Sequence, residues 1–329
     1  MKKIAIEEAI FFDKLGPVRA AWVEREALPD TIDLALFLGK VTPIMRADFE
    51  EFRLPSMDAT GIEMQVLSTG SPGVQGCADA DEALALSRES NDLIHDKMKK
   101  YPGRFSGFAA VPTQDPELGA KELERCVTEL GFCGAMIHGR VGDNMYLDDP
   151  KFDVLWEAAQ ALDVPISLHI MDTDVRRMQI FEGCYSLLGA GWSWTLEAST
   201  HVMRIIMNGV FERYPKAQVI SGHMGEGLPY HFGRMDEGFE LFRGHMEKKL
   251  SRLPSSYFLT NVYITTSGCY HPPAMRCAID AMGKERVLFA IDYPFVSNEK
   301  GVELVEDCNL TEDEKAHVYH LNAERLLRL

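Results

Sequence analysis

The sequence predicts an α/β protein, a closed (β/α)8 barrel with long insertions in the loops at the carboxyl ends of its strands. Three observations lead there. Eight short apolar runs alternate with stretches of helical character, which implies a parallel sheet. Four of them, Ile4-Ala5-Ile6-Glu7, Pro165-Ile166-Ser167-Leu168-His169, Val219-Ile220-Ser221-Gly222-His223 and Arg286-Val287-Leu288-Phe289-Ala290-Ile291-Asp292, end on a side chain that can bind metal or move protons. No Gly-x-Gly-x-x-Gly pattern follows an early strand, which disfavours an open dinucleotide-binding sheet.

The first strand ends near Glu7, and residues 10–55 are expected to be irregular, with room for helical pieces between Pro17, Pro29, Pro43 and Pro55, which interrupt any long element. Residues 63–68 read as the second strand, and a helix over 79–101 follows, capped by Asp79 or Asp81 and stopped by Pro102-Gly103. A strand at 105–111 precedes a helix at 116–130; a strand at 134–138 precedes a helix at 150–162. The strand ending at His169 opens a Gly- and Trp-rich loop over 170–200, and Thr200 is placed to cap a helix over 201–213. The strand ending at His223 leads into a glycine- and charge-rich segment, 225–260. Strand 261–266, helix 272–282, the strand running to Ile291 and a final helix near 311–327 complete the alternation. No linker or low-complexity tract divides residues 1–329, so one barrel domain is expected.

Composition narrows the partners. A formal charge of −16 argues against nucleic acid or an anionic membrane as the main partner. No apolar run approaches the ~18 residues of a membrane span, and Glu7-Glu8 cuts short the only apolar stretch near the start, so no signal peptide is expected. The seven cysteines form no CxxC pair and are odd in number, which suits reduced thiols in the cytoplasm.

Catalytic groups of a barrel gather where strands end. Glu7, His138, His169, His223 and Asp292 therefore surround one cavity, with Glu7, His169 and Asp292 as the expected ligands of one divalent metal ion. Manganese, magnesium and zinc all suit that donor set. His223 sits in Ser221-Gly222-His223-Met224-Gly225-Glu226, where glycines permit a sharp turn and Glu226 can charge the ring, making it a donor or general acid. Arg234 is either an anchor for an anionic substrate or a solvated helix charge. Trp192 either covers a planar ligand or packs in the core or against a second subunit. His138 can line the pocket.

Over nearly its full length the chain resembles the metal-dependent aromatic acid decarboxylases of the amidohydrolase superfamily, such as the γ-resorcylate, 2,3-dihydroxybenzoate and salicylate decarboxylases. The resemblance is carried by Ile6-Glu7-Glu8-Ala9, Asp163-Val164-Pro165-Ile166-Ser167-Leu168-His169, Gly222-His223-Met224-Gly225-Glu226, Ile264-Thr265-Thr266-Ser267-Gly268, Asp292-Tyr293-Pro294-Phe295 and Asn322-Ala323-Glu324-Arg325-Leu326. It implies metal ligands at Glu7, His169 and Asp292, a catalytic pair in His223 and Glu226, and a substrate contact at Arg234. Ala9 stands where many members carry a histidine, as in the 2,3-dihydroxybenzoate and salicylate branch, and His138 where several carry an asparagine. The implied reaction is loss of CO2 from an ortho-hydroxybenzoate, 2,3- or 2,6-dihydroxybenzoate, through protonation of the carboxylate-bearing carbon by Asp292, with Phe295 as an apolar wall. Relatives imply a homodimer or homotetramer. A metal-dependent hydrolase of a small ester, lactone or amide is the alternative on the same barrel, and a binding protein without turnover is a further one.

Overall fold

The structure is a computed structural model in which the described residues are 1–26, 49–142, 145–171, 179–245 and 250–329. Part of the irregular stretch expected at 10–55, namely 27–48, lies outside them. Eight strands form one parallel sheet in sequence order: β1 (Ile4–Ile10), β2 (Met64–Thr69), β3 (Phe105–Ala110), β4 (Gly134–His138), β5 (Ile166–His169), β6 (Val219–Ser221), β7 (Val262–Thr265) and β8 (Val287–Leu288). The Ile6 N–H donates to the Phe289 carbonyl at 3.1 Å and the Ala9 N–H to the Tyr293 carbonyl at 2.7 Å, which joins the last strand to the first and closes the barrel.

Alternation of side chains along each strand builds two cores. Ile4, Ile6, Val66, Phe108, Met136, Ile220, Tyr263 and Leu288 fill the barrel. Ala5, Leu67, Ala109, Ile137, Leu168, Ile264 and Phe289 face outward into the larger core under the helices. The same alternation sends His138, His169 and Asp292 inward at the carboxyl end.

Several helices match their sequence signals. Asp79 caps Ala80–Lys100 by accepting the Glu82 N–H, Asp115 caps Pro116–Thr128, and a Thr311–Glu314 capping box opens the C-terminal helical segment. Other elements differ. The helix expected from residue 201 begins at Ser193, because its buried face, Glu197, Ala198, His201, Val202 and Ile205, continues at helical spacing through Thr200. Leu15–Glu26 is one of the helical pieces allowed between the prolines of 10–55, and Leu54–Thr60 opens at the end of that stretch; Pro17 and Pro55 stand in first turns, where a missing N–H costs nothing. Phe232–Phe242 and Asn298–Asp307 are further helices, the latter capped by Ser297. All seven cysteines are free. Among the described residues, no helix is long and apolar enough to cross a membrane.

Candidate active site

Glu7 reaches the barrel interior through an irregularity in β1. Ala5 pairs with Gln65 and Glu8 with Leu67, so Ile6 and Glu7 together oppose Val66 in a β-bulge. The extra residue reverses the alternation. Ile6 belongs to the inner core, yet Glu7 and Ala9 both line the cleft at the carboxyl end, and Ile10 faces the outer core. The Glu7 carboxylate is 3% exposed, and its Oε2 accepts hydrogen bonds from Thr265 Oγ1 (2.7 Å) and Ser267 Oγ (2.6 Å). Its Oε1 is buried with no hydrogen-bond partner. A buried carboxylate oxygen left bare is costly, and here it faces the other site residues.

Those residues converge on it. His169 Nε2 lies 3.7 Å and His223 Nε2 3.5 Å from Glu7 Oε1. Asp292 places Oδ1 3.9 Å from His169 Nε2 and Oδ2 3.9 Å from His223 Nε2. His169 Nδ1 is 3.1 Å from the Ile170 carbonyl, so its N–H is held there and the Nε2 lone pair is turned to the centre. The spacing is slightly wider than the ~3–3.5 Å between donors sharing a cation at ~2.1 Å. The bare Glu7 oxygen and the donor chemistry fit a divalent metal ion. Among the described residues, Glu7, His169 and His223 each bring a donor atom within 4.8 Å of the others. Asp292, rather than His223, was the third ligand expected from the sequence; the structure brings both to the same point.

His223 is held by the turn that carries it. β6 ends at Ser221, and His223 (φ 46°), Met224 (φ 56°) and Glu226 (φ 52°) are all left-handed, at roughly 1–2 kcal/mol for each residue with a Cβ. Gly222 is required: a Cβ there would stand 2.7 Å from Glu7 Oε1. The turn brings the Glu226 Oε1 2.6 Å from His223 Nδ1, fixing the ring. Burial opposes a charge on the imidazole, but Glu7, Glu226 and Asp292 outweigh it and push its pKa up to about 10. Burial likewise raises the Asp292 carboxyl, against the lowering effect of the two histidines.

The cleft beside these groups is lined by Glu7, Ala9, Ser68, Thr69, Gly70, His138, His169, Asp292 and Phe295. His138 is buried with Nε2 2.9 Å from the Thr69 carbonyl and Nδ1 unpartnered. Burial first, and His169 second, hold it well below the usual histidine range, so the ring is neutral. Phe295 packs edge-on against Phe11, ring centres 5.8 Å apart. Two sequence candidates stand elsewhere. Trp192 is 50% exposed just before the helix Ser193–Met207, and Arg234 is exposed on the helix Phe232–Phe242; neither lines this cleft.

Thr265 and Ser267, which hold Glu7, belong to the Thr-Thr-Ser-Gly block, but nothing in that block shows which acid they serve. Glu197 is a further group missed by sequence reading. It is 3% exposed, with neither carboxyl oxygen hydrogen-bonded; the Met171 N–H approaches it without hydrogen-bond geometry. Burial raises its pKa from 4.5 to about 8, with Arg140 opposing and Glu226 assisting. The folded state thus keeps a proton that the unfolded chain releases. This contribution to stability is full below pH 4.5 and falls as the pH climbs to about 8. Glu197→Gln is therefore expected to melt higher than the parent protein at pH 8 and alongside it at pH 5, by calorimetry. Equal melting temperatures at both pH values would contradict this.

The chain matches the amidohydrolase family over residues 44–329. The γ-resorcylate decarboxylase of Polaromonas sp. is 38% identical over 287 residues, 86% of this chain and 88% of that protein. The chain is similar to a solved dihydroxybenzoic acid decarboxylase from Polaromonas sp. with bound manganese and the inhibitor 2-nitroresorcinol (TM-score 0.89, 35% identity, 100% of this chain and 97% of that one). It is also similar to the 5-carboxyvanillate decarboxylase of Novosphingobium aromaticivorans, solved with manganese and 4-hydroxy-3-methoxy-5-nitrobenzoic acid (TM-score 0.92, 32% identity, 100% and 96%).

Proposed function

The chain belongs to the amidohydrolase family, and from that premise we propose that it is a metal-dependent, non-oxidative carboxy-lyase acting on 2,6-dihydroxybenzoate. The observation that carries this reading is the meeting of Glu7, His169, His223 and Asp292 at one point beside a cleft walled by Phe295. The resemblance of the chain left 2,3- and 2,6-dihydroxybenzoate open; similarity to γ-resorcylate decarboxylase favours the second.

Glu7, His169 and Asp292 are the ligands we propose, and manganese, as in the solved relatives, is the ion. When bound, a divalent cation supplies Lewis-acid charge to the substrate carboxylate and its ortho oxygen. The remaining work falls to side chains. Asp292 passes a proton to the ring carbon that bears the carboxylate. The bond from that carbon to the carboxylate breaks, its electron pair restores the aromatic ring, and CO2 departs. In sum, the carboxylate and one proton become resorcinol and CO2. His223, oriented by Glu226, donates to the oxygen on which charge builds. Phe295 bounds one side of the ring, and the free Nδ1 of the neutral His138 accepts a hydrogen bond from a ring hydroxyl.

Arg234 lies outside its own cleft. It keeps a substrate-anchoring role only in an assembly where a second copy covers its helix, and the same helix and its approach expose Tyr230, Leu241 and Phe242. A homodimer or homotetramer of this single 1–329 domain, in the cytoplasm, is the assembly we propose.

The test is a metal-loaded assay of 2,6-dihydroxybenzoate, 2,3-dihydroxybenzoate and salicylate beside a panel of esters and lactones. Resorcinol and CO2 from the first substrate are expected. Hydrolysis of an ester with no CO2 from any hydroxybenzoate would replace this reading with the hydrolase.

A further inference from the structure

We propose that Glu8 is a positioning residue: its carboxylate grips the two backbone amides on either side of Asp292 and so fixes that residue at the metal centre. The proposal rests on the reading of Asp292 given above.

Glu8 is fully buried, and both its oxygens are engaged. Oε1 accepts the Ile291 N–H at 3.0 Å and Oε2 accepts the Tyr293 N–H at 3.0 Å. The residue between those amides is Asp292, whose φ of 69° is left-handed. Aspartate tolerates that region better than most residues with a Cβ, but it still costs free energy that the surroundings must offset. Backbone pairing supplies part of that constraint: β8 ends at Leu288, and past it the Ala9 N–H still ties the Tyr293 carbonyl to β1 at 2.7 Å. Beyond it, side chains contribute: Thr266 Oγ1 accepts the Ala290 N–H at 3.0 Å, and Glu8 takes the Ile291 and Tyr293 amides.

The bulge explains why neighbouring glutamates do different work. With the alternation reversed between Ile6 and Glu7, Glu7 points into the barrel and Glu8 into the wall behind Asp292. One strand thus supplies a candidate ligand and the brace for another. Burial raises the pKa of the Glu8 carboxyl, against the lowering effect of the Ile291 amide, of Arg53, also fully buried, and of the Tyr293 amide. Arg53 is anchored by Gln65 Oε1 (2.9 Å) and the Ala9 carbonyl (2.6 Å), and its guanidinium stands 4.5 Å from the centre of the Tyr293 ring. Two acceptors are needed, which a carboxylate provides and an amide does not. Glu8→Gln keeps the volume but sets an NH2 against one backbone N–H.

The experiment compares Glu8→Gln, Asp292→Asn and the double variant with the parent chain, reading Mn(II) affinity by titration and kcat and KM for 2,6-dihydroxybenzoate. E8Q is expected to weaken Mn(II) binding by about tenfold, the lower range for groups behind a ligand. It is also expected to lower kcat by about tenfold or more while KM stays within about twofold, as for an interaction felt only in the transition state. On the D292N background it should add less than about twofold to either loss, because the pair acts as one unit. Parental affinity and kcat in E8Q, or losses that multiply in the double variant, overturn the proposal. Glu8→Asp, which keeps the carboxyl group but is too short to span both amides, is the second variant and should show the same split. Failure of both variants to fold assigns Glu8 to the scaffold and also overturns it. If the parent chain does not decarboxylate, the functional reading fails on its own, and the Mn(II) titration still decides the role of Glu8.

Discussion

Asp292→Asn is expected to cut kcat on 2,6-dihydroxybenzoate by about 100- to 10,000-fold, the range general acid–base groups contribute, with Mn(II) still bound. Asparagine keeps the shape and an oxygen for the centre, but it has no carboxyl proton to give. Asp292 is the group whose geometry suits that transfer: it is half-buried in the cleft wall, and burial raises its hold on a proton. Its two oxygens face different partners, Oδ1 towards His169 and Oδ2 towards His223. The kinetics must be measured at saturating metal with the metal content of the variant determined, so that lost proton transfer is not confused with a lost ligand. KM is expected to change little. An Asp292→Asn protein that holds metal and retains most of its turnover would remove Asp292 from the chemistry.

Stripping divalent ions with a chelator is expected to abolish turnover, and added Mn(II) to restore it. Glu7→Gln is expected to weaken Mn(II) binding by more than about 100-fold, beyond the usual effect of a group behind the ligands. The reason lies in how Glu7 is held. Thr265 and Ser267 both donate to Oε2, leaving Oε1 buried and bare. An amide there either presents N–H2 to the centre or turns it against the hydroxyls. The parent protein should also gain stability with Mn(II), by ~2.7 kcal/mol at about 100 times Kd, and Glu7→Gln should gain almost none. Thermal melts with and without metal measure this. Full activity after exhaustive chelation would contradict a metal role altogether.

What sequence could show of this site follows from strand periodicity. His138, His169 and Asp292 end or follow apolar runs, and regular alternation does send them into the cleft. Glu7 was placed correctly at the barrel mouth for an incomplete reason. β1 continues to Ile10, and a bulge turns Glu7 inward. A bulge is set by pairing with β2 and leaves no mark in the local sequence, so the division of labour between Glu7 and Glu8 was illegible. The turn at His223 was signalled by Gly222 and Gly225, but the reason for Gly222, clearance for Glu7, needs the packed barrel. Glu197 sits on a helix face that reads as an ordinary amphipathic stripe. Arg234 and Trp192 stand outside this cleft, because a suggestive local motif cannot tell which way an exposed helix or its approach points. The bounds of the helices Leu15–Glu26 and Leu54–Thr60 were hidden by Pro17 and Pro55, residues that break a helix interior but are tolerated in its first turn.

The most direct measurement of the central claim is turnover of 2,6-dihydroxybenzoate in D2O by the Mn(II)-loaded protein, followed by NMR and mass spectrometry. The predicted result is one CO2 for each resorcinol, with one deuterium at the ring carbon that lost the carboxylate, and neither product after chelation. Unchanged 2,6-dihydroxybenzoate, or resorcinol formed equally well by the chelated protein, would contradict it.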